Sequence, residues 1–508
     1  MTTAHAGSPT SPPRRAPALS PAPRALPWAT LGTICLGYFM ASWAMGPVAA
    51  ILPTITGDLD ISVTAAGWIM SAYFLMLVGT VLLMGRLGDI LGQGRVFSLG
   101  IGLFTAAQLA CGLSNSFVLL LFARGTQGVG SAMIFGTSLA IIASAIPARS
   151  QGRAIGFLTV ASSVSSLAGV WLSTWSVQHL NWHWGFILPV PVGVLATALG
   201  FRLRLPSVKM DSRRVDWAGA VLLFATLTVA MLGLNHLHEG GETFQSGAPY
   251  HVSMHLLAIA LLVAFLRVEQ RAEAPLLGFK LLRDARFASG ITGNGIAHMS
   301  MLATSFLIPF LLERGRGLTP AETGRLIMTQ QVAMVGCALT LGYLYDRTRS
   351  PRFAAAMLGS IAVGLTTLGL LGGTLPFIGL VGIAVMLGAG LGGFTTVNNT
   401  AVMSMAPPEQ QGFASGLVET TRQLGHAVGV SLSSSFMASA LGEVAVPSAG
   451  QYVDGFQQAA FAMGLVAATG VAVLLWPRLR GDSARRSLTR PSAELPGRLP
   501  RPIAGISD

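Results

Sequence analysis

The chain has 508 residues, of which only 10% are charged while 52% are hydrophobic, and its mean hydropathy is +0.62. A soluble chain carries roughly 25% charged residues to cover its surface, so a string of soluble domains is excluded. The net charge of +12 rests on arginines between and after apolar runs, with Lys209 and Lys280 the only lysines, which argues against a nucleic-acid-binding patch.

In chain order, residues 1–26 place Pro9, Pro12, Pro13, Pro17, Pro21 and Pro23 among small residues and Arg14, Arg15 and Arg24. That composition predicts a disordered basic tail rather than a secretory signal. Apolar runs then recur to residue 476, each able to cross a hydrocarbon layer of ~30 Å at about 1.5 Å per residue. They predict spans at 27–52, 65–85, 96–113, 117–143, 152–175, 184–202 and 216–236. The remaining predicted spans are 253–267, 288–312, 323–343, 353–373, 376–403, 411–440 and 456–476, the eighth being the shortest. Residues 477–508, rich in proline and arginine, predict a second tail. Spans of roughly 21 residues leave loops of about a dozen, too short for a catalytic or nucleotide-binding domain.

With the N-terminus inside, 27 of the 32 lysines and arginines fall on the cytoplasmic side. Both termini are therefore expected in the cytoplasm. Gly85-Arg-Leu87-Gly-Asp89 follows the second span, and Gly342-Tyr-Leu344-Tyr-Asp346-Arg347 follows the tenth. The shared spacing predicts two parallel six-helix halves, as in secondary transporters. The expected fold is thus an all-α polytopic membrane protein of fourteen transmembrane helices in a 6+2+6 arrangement. Its units are bundles at 27–202 and 287–476 and a two-helix insertion at 203–286.

The motifs fit transport. Gly85, Asp89 and Arg95, with Asp346 and Arg347, are candidates for a conformational switch: glycines allow close helix approach, and an aspartate can meet a helix N-terminus or guanidinium in one rocking state only. Arg124 lies deep in the fourth span, where a charge is expensive. It is either a proton-coupling or substrate-orienting cation, or a structural group bonded to backbone carbonyls. Glu419, Arg422 and His426 share one face of the thirteenth span. Glu419 is either a titrating group near the pathway or a local partner of Arg422. Trp43, Trp68, Tyr73, Gln127, Trp171, Asn294, Asn398 and Asn399 could line a substrate cavity, although aromatics in such helices often only pack or anchor.

Several chemistries find no support. Gly388-Ala-Gly390-Leu-Gly392-Gly393 lies inside a span with no strand before it, so it reads as a packing face rather than a dinucleotide loop. Neither lysine completes a phosphate loop, no metalloprotease or paired-cysteine motif occurs, and Cys35, Cys111 and Cys337 all lie in apolar runs. No enzyme activity, metal or cofactor is expected.

With these residues in view, the chain resembles the major facilitator superfamily, and more closely its fourteen-span drug:proton antiporter branch, over residues 27–476. The resemblance is carried by Trp68 to Tyr73, Gly85 to Arg95, Arg124 to Gly130 and Trp182-His-Trp184-Gly-Phe186 through Pro191-Val-Gly193. It continues in Asp216-Trp217, Pro275-Leu-Leu277, Arg286-Phe287 and Gly416-Leu-Val-Glu-Thr-Thr-Arg422-Gln423-Leu-Gly425. It implies proton-driven export of small amphipathic compounds, with Arg124 in proton coupling. It also implies a monomer in the plasma membrane of a bacterium, whose partners are a small-molecule substrate and the bilayer. The chain departs from the branch at four places. Ala44 stands where the first span usually carries an acid, and Gly169-Val-Trp171-Leu-Ser173-Thr174 replaces Gly-Pro-x-x-Gly-Gly. The basic residues after Asp89 are reduced to Arg95, and Glu419 replaces a common asparagine.

Overall fold

The computed structural model describes residues 28–146, 148–203, 205, 216–234, 248–271, 279–348, 352–406, 411–442 and 447–488. Every regular element among them is helical.

The first expected span is a rod broken near its middle, α1 (Trp28–Trp43) and α2 (Gly46–Asp58). Pro47 lacks an N–H and its ring crowds the carbonyl four residues back, so the helix interrupts at Ala44 and Met45 and restarts. Four helices follow: α3 (Val63–Leu91), α4 (Gln93–Gly112), α5 (Phe117–Ala145) and α6 (Ala148–His179). The sixth span is again broken, at Pro189, into α7 (His183–Ile187) and α8 (Val190–Arg202). α9 (Trp217–Leu234) and α10 (Ala248–Glu269) come next, and a short α11 (Phe279–Leu282) leads onward.

The second half opens with α12 (Ala285–Pro309), which runs on as a π-helical turn through Gly315. It continues with α13 (Pro320–Thr348), α14 (Arg352–Leu371), α15 (Phe377–Met405), α16 (Gln411–Leu441) and α17 (Ala449–Leu488). Helix starts are written locally. Ser62 and Ser116 accept from the backbone N–H groups of Ala65 and Leu119, and Asp284 accepts from Arg286 and Phe287. Thr319 and Glu322, and likewise Ser448 and Gln451, form reciprocal capping boxes.

Twelve helical stretches among the described residues are long and apolar enough to cross a membrane. α6 and α13, of 32 and 29 residues, are not among them. The helices generally outrun the expected spans: the short eighth span is 22 residues in α10, and α17 continues through Pro477 into the expected tail. Hydropathy sees only the lipid-facing stretch, whereas helices continue to their caps.

α3, α4 and α5 pack together in the first half, as α13, α14 and α15 do in the second. Gly388 and Gly392 are a packing face, as expected: a Cβ at either would fall 2.1 and 2.0 Å from the carbonyl oxygens of Gln330 and Met334 on α13. The halves meet where α3 packs on α16, α6 on α13 and α2 on α12. α9 and α10 pack on each other, and α9 touches α3 and α16.

Candidate functional site

Arg124 of α5 is fully buried. Gly128, one turn on, lets α5 lie against the Tyr73 carbonyl of α3, where a Cβ would intrude to 2.3 Å. The guanidinium then spends its donors on acceptors without charge. Nε donates to the Ile69 carbonyl at 2.9 Å and Nη2 to the Ala44 carbonyl at 3.0 Å, while Nη1 donates to Gln127 Oε1. Its plane lies over Tyr73, 4.6 Å from the ring centre. The Ala44 carbonyl falls in the break between α1 and α2, where a helix leaves carbonyls without partners. Arg124 thus meets main chain at the position where an acid stands in the branch that the sequence resembles. Gln127 passes the network on to Gln108, whose Nε2 donates to the Phe186 carbonyl at 2.9 Å. Among the described residues no carboxylate forms an ion pair with Arg124.

A second polar cluster lies on α16. Arg422 donates to Glu419 Oε2, and Gln423 Nε2 donates to Glu419 Oε1 at 2.7 Å. Tyr38 of α1 lies close to Arg422, so the pair reaches the opposite half. His426 Nδ1 lies 3.2 Å from Gln423 Oε1, and its ring is tilted against Phe74 of α3 at 5.5 Å between centres. On the other side His426 Nε2 lies 3.2 Å from His298 Nδ1 of α12. Both imidazoles are 5% exposed. Gly425 and Gly429 bring α16 onto α12 here, since a Cβ at either would lie 2.3 Å from the Gly295 or Met299 carbonyl. Further along, Ser71 and Ser431 face each other across α3 and α16 at 3.2 Å.

One end of the molecule, where α2 turns into α3 and α12 into α13, is held shut between the halves. Arg314 Nη2 donates to the Pro53 carbonyl at 2.9 Å, and Gly324 of α13 abuts Thr174 of α6. At the other end Gly92, with φ of 103°, makes the tight turn from α3 to α4. Gly85, Gly88 and Asp89 belong to the last turns of α3, which runs past the expected end of the second span. Asp89 accepts from Gln93 at 3.1 Å and lies 3.6 Å from Arg86, both in its own half, and Arg95 is exposed. The side chains of Asp346 and Arg347 lie outside the described ones; their backbone closes α13.

Several of the expected cavity residues are engaged in hydrogen bonds between helices. Trp43 donates Nε1 to the Gly185 carbonyl at 3.1 Å, and the Tyr73 hydroxyl lies 2.9 Å from Ser131 Oγ. Asn294 Nδ2 donates to the Val418 carbonyl at 2.8 Å and Asn398 Nδ2 to the Gly290 carbonyl at 3.1 Å, each tying two helices together. Trp68 and Gln127 are buried, Asn399 is half-buried, and Trp171 is 54% exposed. In this conformation the closely packed interhelical positions hold most of them. His298 was not singled out from sequence, and Gln423 only as part of the motif that carries the resemblance. A histidine within an apolar run is a signal, but its pairing across helices is not visible in one dimension.

The Major Facilitator Superfamily pattern matches residues 34–430. Riboflavin transporter RibZ of Clostridioides difficile is 29% identical over 82% of this chain and 89% of its own. The tetracenomycin C resistance and export protein of Streptomyces glaucescens is 28% identical over 83% and 78%. Among solved structures, a peptide transporter POT mutant in complex with sulfate superposes with a TM-score of 0.64 at 16% identity, covering 88% of this chain and 94% of its own. With a family match over most of its length, an all-helical bundle of apolar spans and relatives that are transporters, the chain belongs to the major facilitator superfamily and is a membrane transporter, not an enzyme.

Proposed function

We propose that this transporter exports small hydrophobic or amphipathic organic compounds across a bacterial plasma membrane in exchange for protons. The observation that carries this reading is the polar seam on α16, from Glu419 to His426, set against the first half through Tyr38 and Phe74. Buried ionisable groups at a joint between moving halves can bias two rocking states by their protonation, which is all that coupling requires. The tetracenomycin C resistance and export protein among the relatives supports export of an organic compound.

With α6 and α13 counted as spans, the chain crosses the membrane fourteen times as 6+2+6, both termini cytoplasmic, and works as a monomer. The end latched by Arg314 and Pro53 then faces outward, and the present conformation is closed to the outside. Alternating access would break that latch and join the ends bearing Asp89 and Asp346.

A second reading, an uncoupled facilitator or importer, has one observation in its favour: Arg124 meets the Ala44 carbonyl and no carboxylate there. The riboflavin transporter among the relatives fits it too. Flux of ethidium, riboflavin and tetracenomycin C into proteoliposomes, with and without an imposed proton gradient, separates the two. Export coupling requires gradient-dependent accumulation of at least one compound; equal flux in both conditions supports the facilitator.

A further inference from the structure

We infer that the coupled proton binds at His298 Nε2, within a histidine pair formed by His298 and His426, and that Glu419 serves as the fixed counter-charge of Arg422. The inference rests on the proton-coupled reading and names its ion site.

The hydrogen-bond directions follow from one acceptor that has no alternative. Glu419 Oε1 can only accept, so the amide group facing it at 2.7 Å is the Gln423 NH2. The Gln423 oxygen therefore points at His426 Nδ1, 3.2 Å away, which must donate to it. A neutral His426 then presents a lone pair at Nε2, and His298 Nδ1, 3.2 Å away, donates to that. The sequence ends at His298 Nε2, which carries a lone pair, is buried, and has no hydrogen-bond partner among the described residues. Both rings are thus assigned as neutral, with one vacant proton acceptor where α12 meets α16. This is the unloaded arrangement.

A proton at Nε2 makes an imidazolium of His298, and its Nδ1–H can pass to His426 Nε2, so the pair shares one positive charge. No other bond breaks and no further reactant is needed. The charged groups facing the pair are few. Glu419 and Arg422 come from α16 itself, Tyr38 from α1, and Tyr73 from α3, with Arg124 of α5 behind the Tyr73 ring. α9 and α15 carry no ionisable side chain, and the charged ones of α2, α13, α14 and α17 and of the π-turn after α12 lie toward helix ends, among them Asp58, Glu313, Arg314, Glu322, Arg325, Arg352 and Asp454. Glu419 is already engaged by Arg422 and Gln423 in the present arrangement. A second positive charge near Arg422 therefore favours separating α16 from α3 at Phe74 and Ser71, which would admit water from the latched end. Loading belongs to the open state and release to this one, the order an exporter needs.

The test is a distance measured as a function of pH in full-length protein reconstituted in lipid. Spin labels go at Asn115→Cys and Ala449→Cys, both exposed at the latched end on opposite halves, with Cys35, Cys111 and Cys337 replaced by alanine. Between about pH 8 and pH 5, a range bracketing ordinary imidazole titration, the ratio of long to short distances should rise about tenfold. His298→Gln and His426→Gln should each hold the short distance at pH 8, which reports folding, and lose the rise. Should either fail to fold, His298→Asn takes its place. Glu419→Gln should keep a rise, displaced in pH. A pH response unchanged in the His298 variants, or absent from the parent protein, overturns the site. Because no substrate is involved, failure of the flux experiment would leave this result standing, and the reverse holds as well.

Discussion

Arg124 and Ala44 are joined by a guanidinium-to-carbonyl hydrogen bond of 3.0 Å in a fully buried setting. The bond places a permanent charge in the membrane interior against the interrupted backbone of the first span. A buried cation without a countercharge persists only where several oriented dipoles replace water. Here the carbonyls of Ile69 and Ala44 and the amide oxygen of Gln127 fill that role.

Arg124→Lys should therefore fail although it keeps the charge. An ammonium cannot satisfy three acceptors in the plane of the guanidinium. Two left unpaired cost about 1–3 kcal/mol each. Thermal denaturation in detergent should fall by several degrees, and flux should drop below about a tenth of the parent's.

Glu419 and Arg422 can be separated from the histidines by a double-mutant cycle. Glu419→Gln alone leaves the half-buried Arg422 without its ion partner and should destabilise by about 1–3 kcal/mol. Arg422→Gln added to it should recover much of that loss. Additive losses in thermal unfolding would mean that the pair seen on α16 contributes little.

Gly429→Ala tests the seating of α16 on α12. A Cβ there would lie 2.3 Å from the Met299 carbonyl, a main-chain atom that cannot step aside alone. The helices must part, costing about 1–3 kcal/mol. Gly416→Ala on the same helix meets nothing within 4 Å and should be neutral or stabilising. Equal melting temperatures for the two variants would refute the close contact.

Much of this architecture is readable in one dimension. Composition and arginine placement reveal a polytopic chain, and Gly388 to Gly393 reads correctly as a packing face. The breaks at Pro47 and Pro189 are visible as residues, but a long apolar run hides their effect. The candidate site was legible only along single helices: Glu419, Arg422 and His426 share a face at helical spacing. That His426 meets His298, 128 residues away, depends on glycine contacts between two helices, and no spacing rule encodes it. Likewise Arg124 announces itself as costly in a membrane, while its acceptors are backbone atoms without a sequence signature.

Arg314→Ala should loosen the latched end. Its bond to the Pro53 carbonyl is partly exposed, so its loss is worth about 1 kcal/mol. That corresponds to a roughly fivefold shift toward open populations, readable with the same label pair. An unchanged distance distribution would show that Arg314 does not hold the halves together.

Topology follows from fusions with side-specific reporters. Fusions at Arg485 and within residues 239–250 should report opposite faces of the membrane, the former cytoplasmic. The same face for both would contradict the fourteen-span topology and remove one of the seven spans between the two sites, the short eighth first.

Gradient-driven flux in proteoliposomes bears most directly on proton-coupled export. With protein reconstituted in lipid, an imposed proton gradient should drive tetracenomycin C or ethidium against its own concentration gradient, and collapse of the proton gradient with an ionophore should abolish accumulation at once. Flux that only equilibrates the compound, at the same rate with the gradient present or collapsed, would contradict proton coupling.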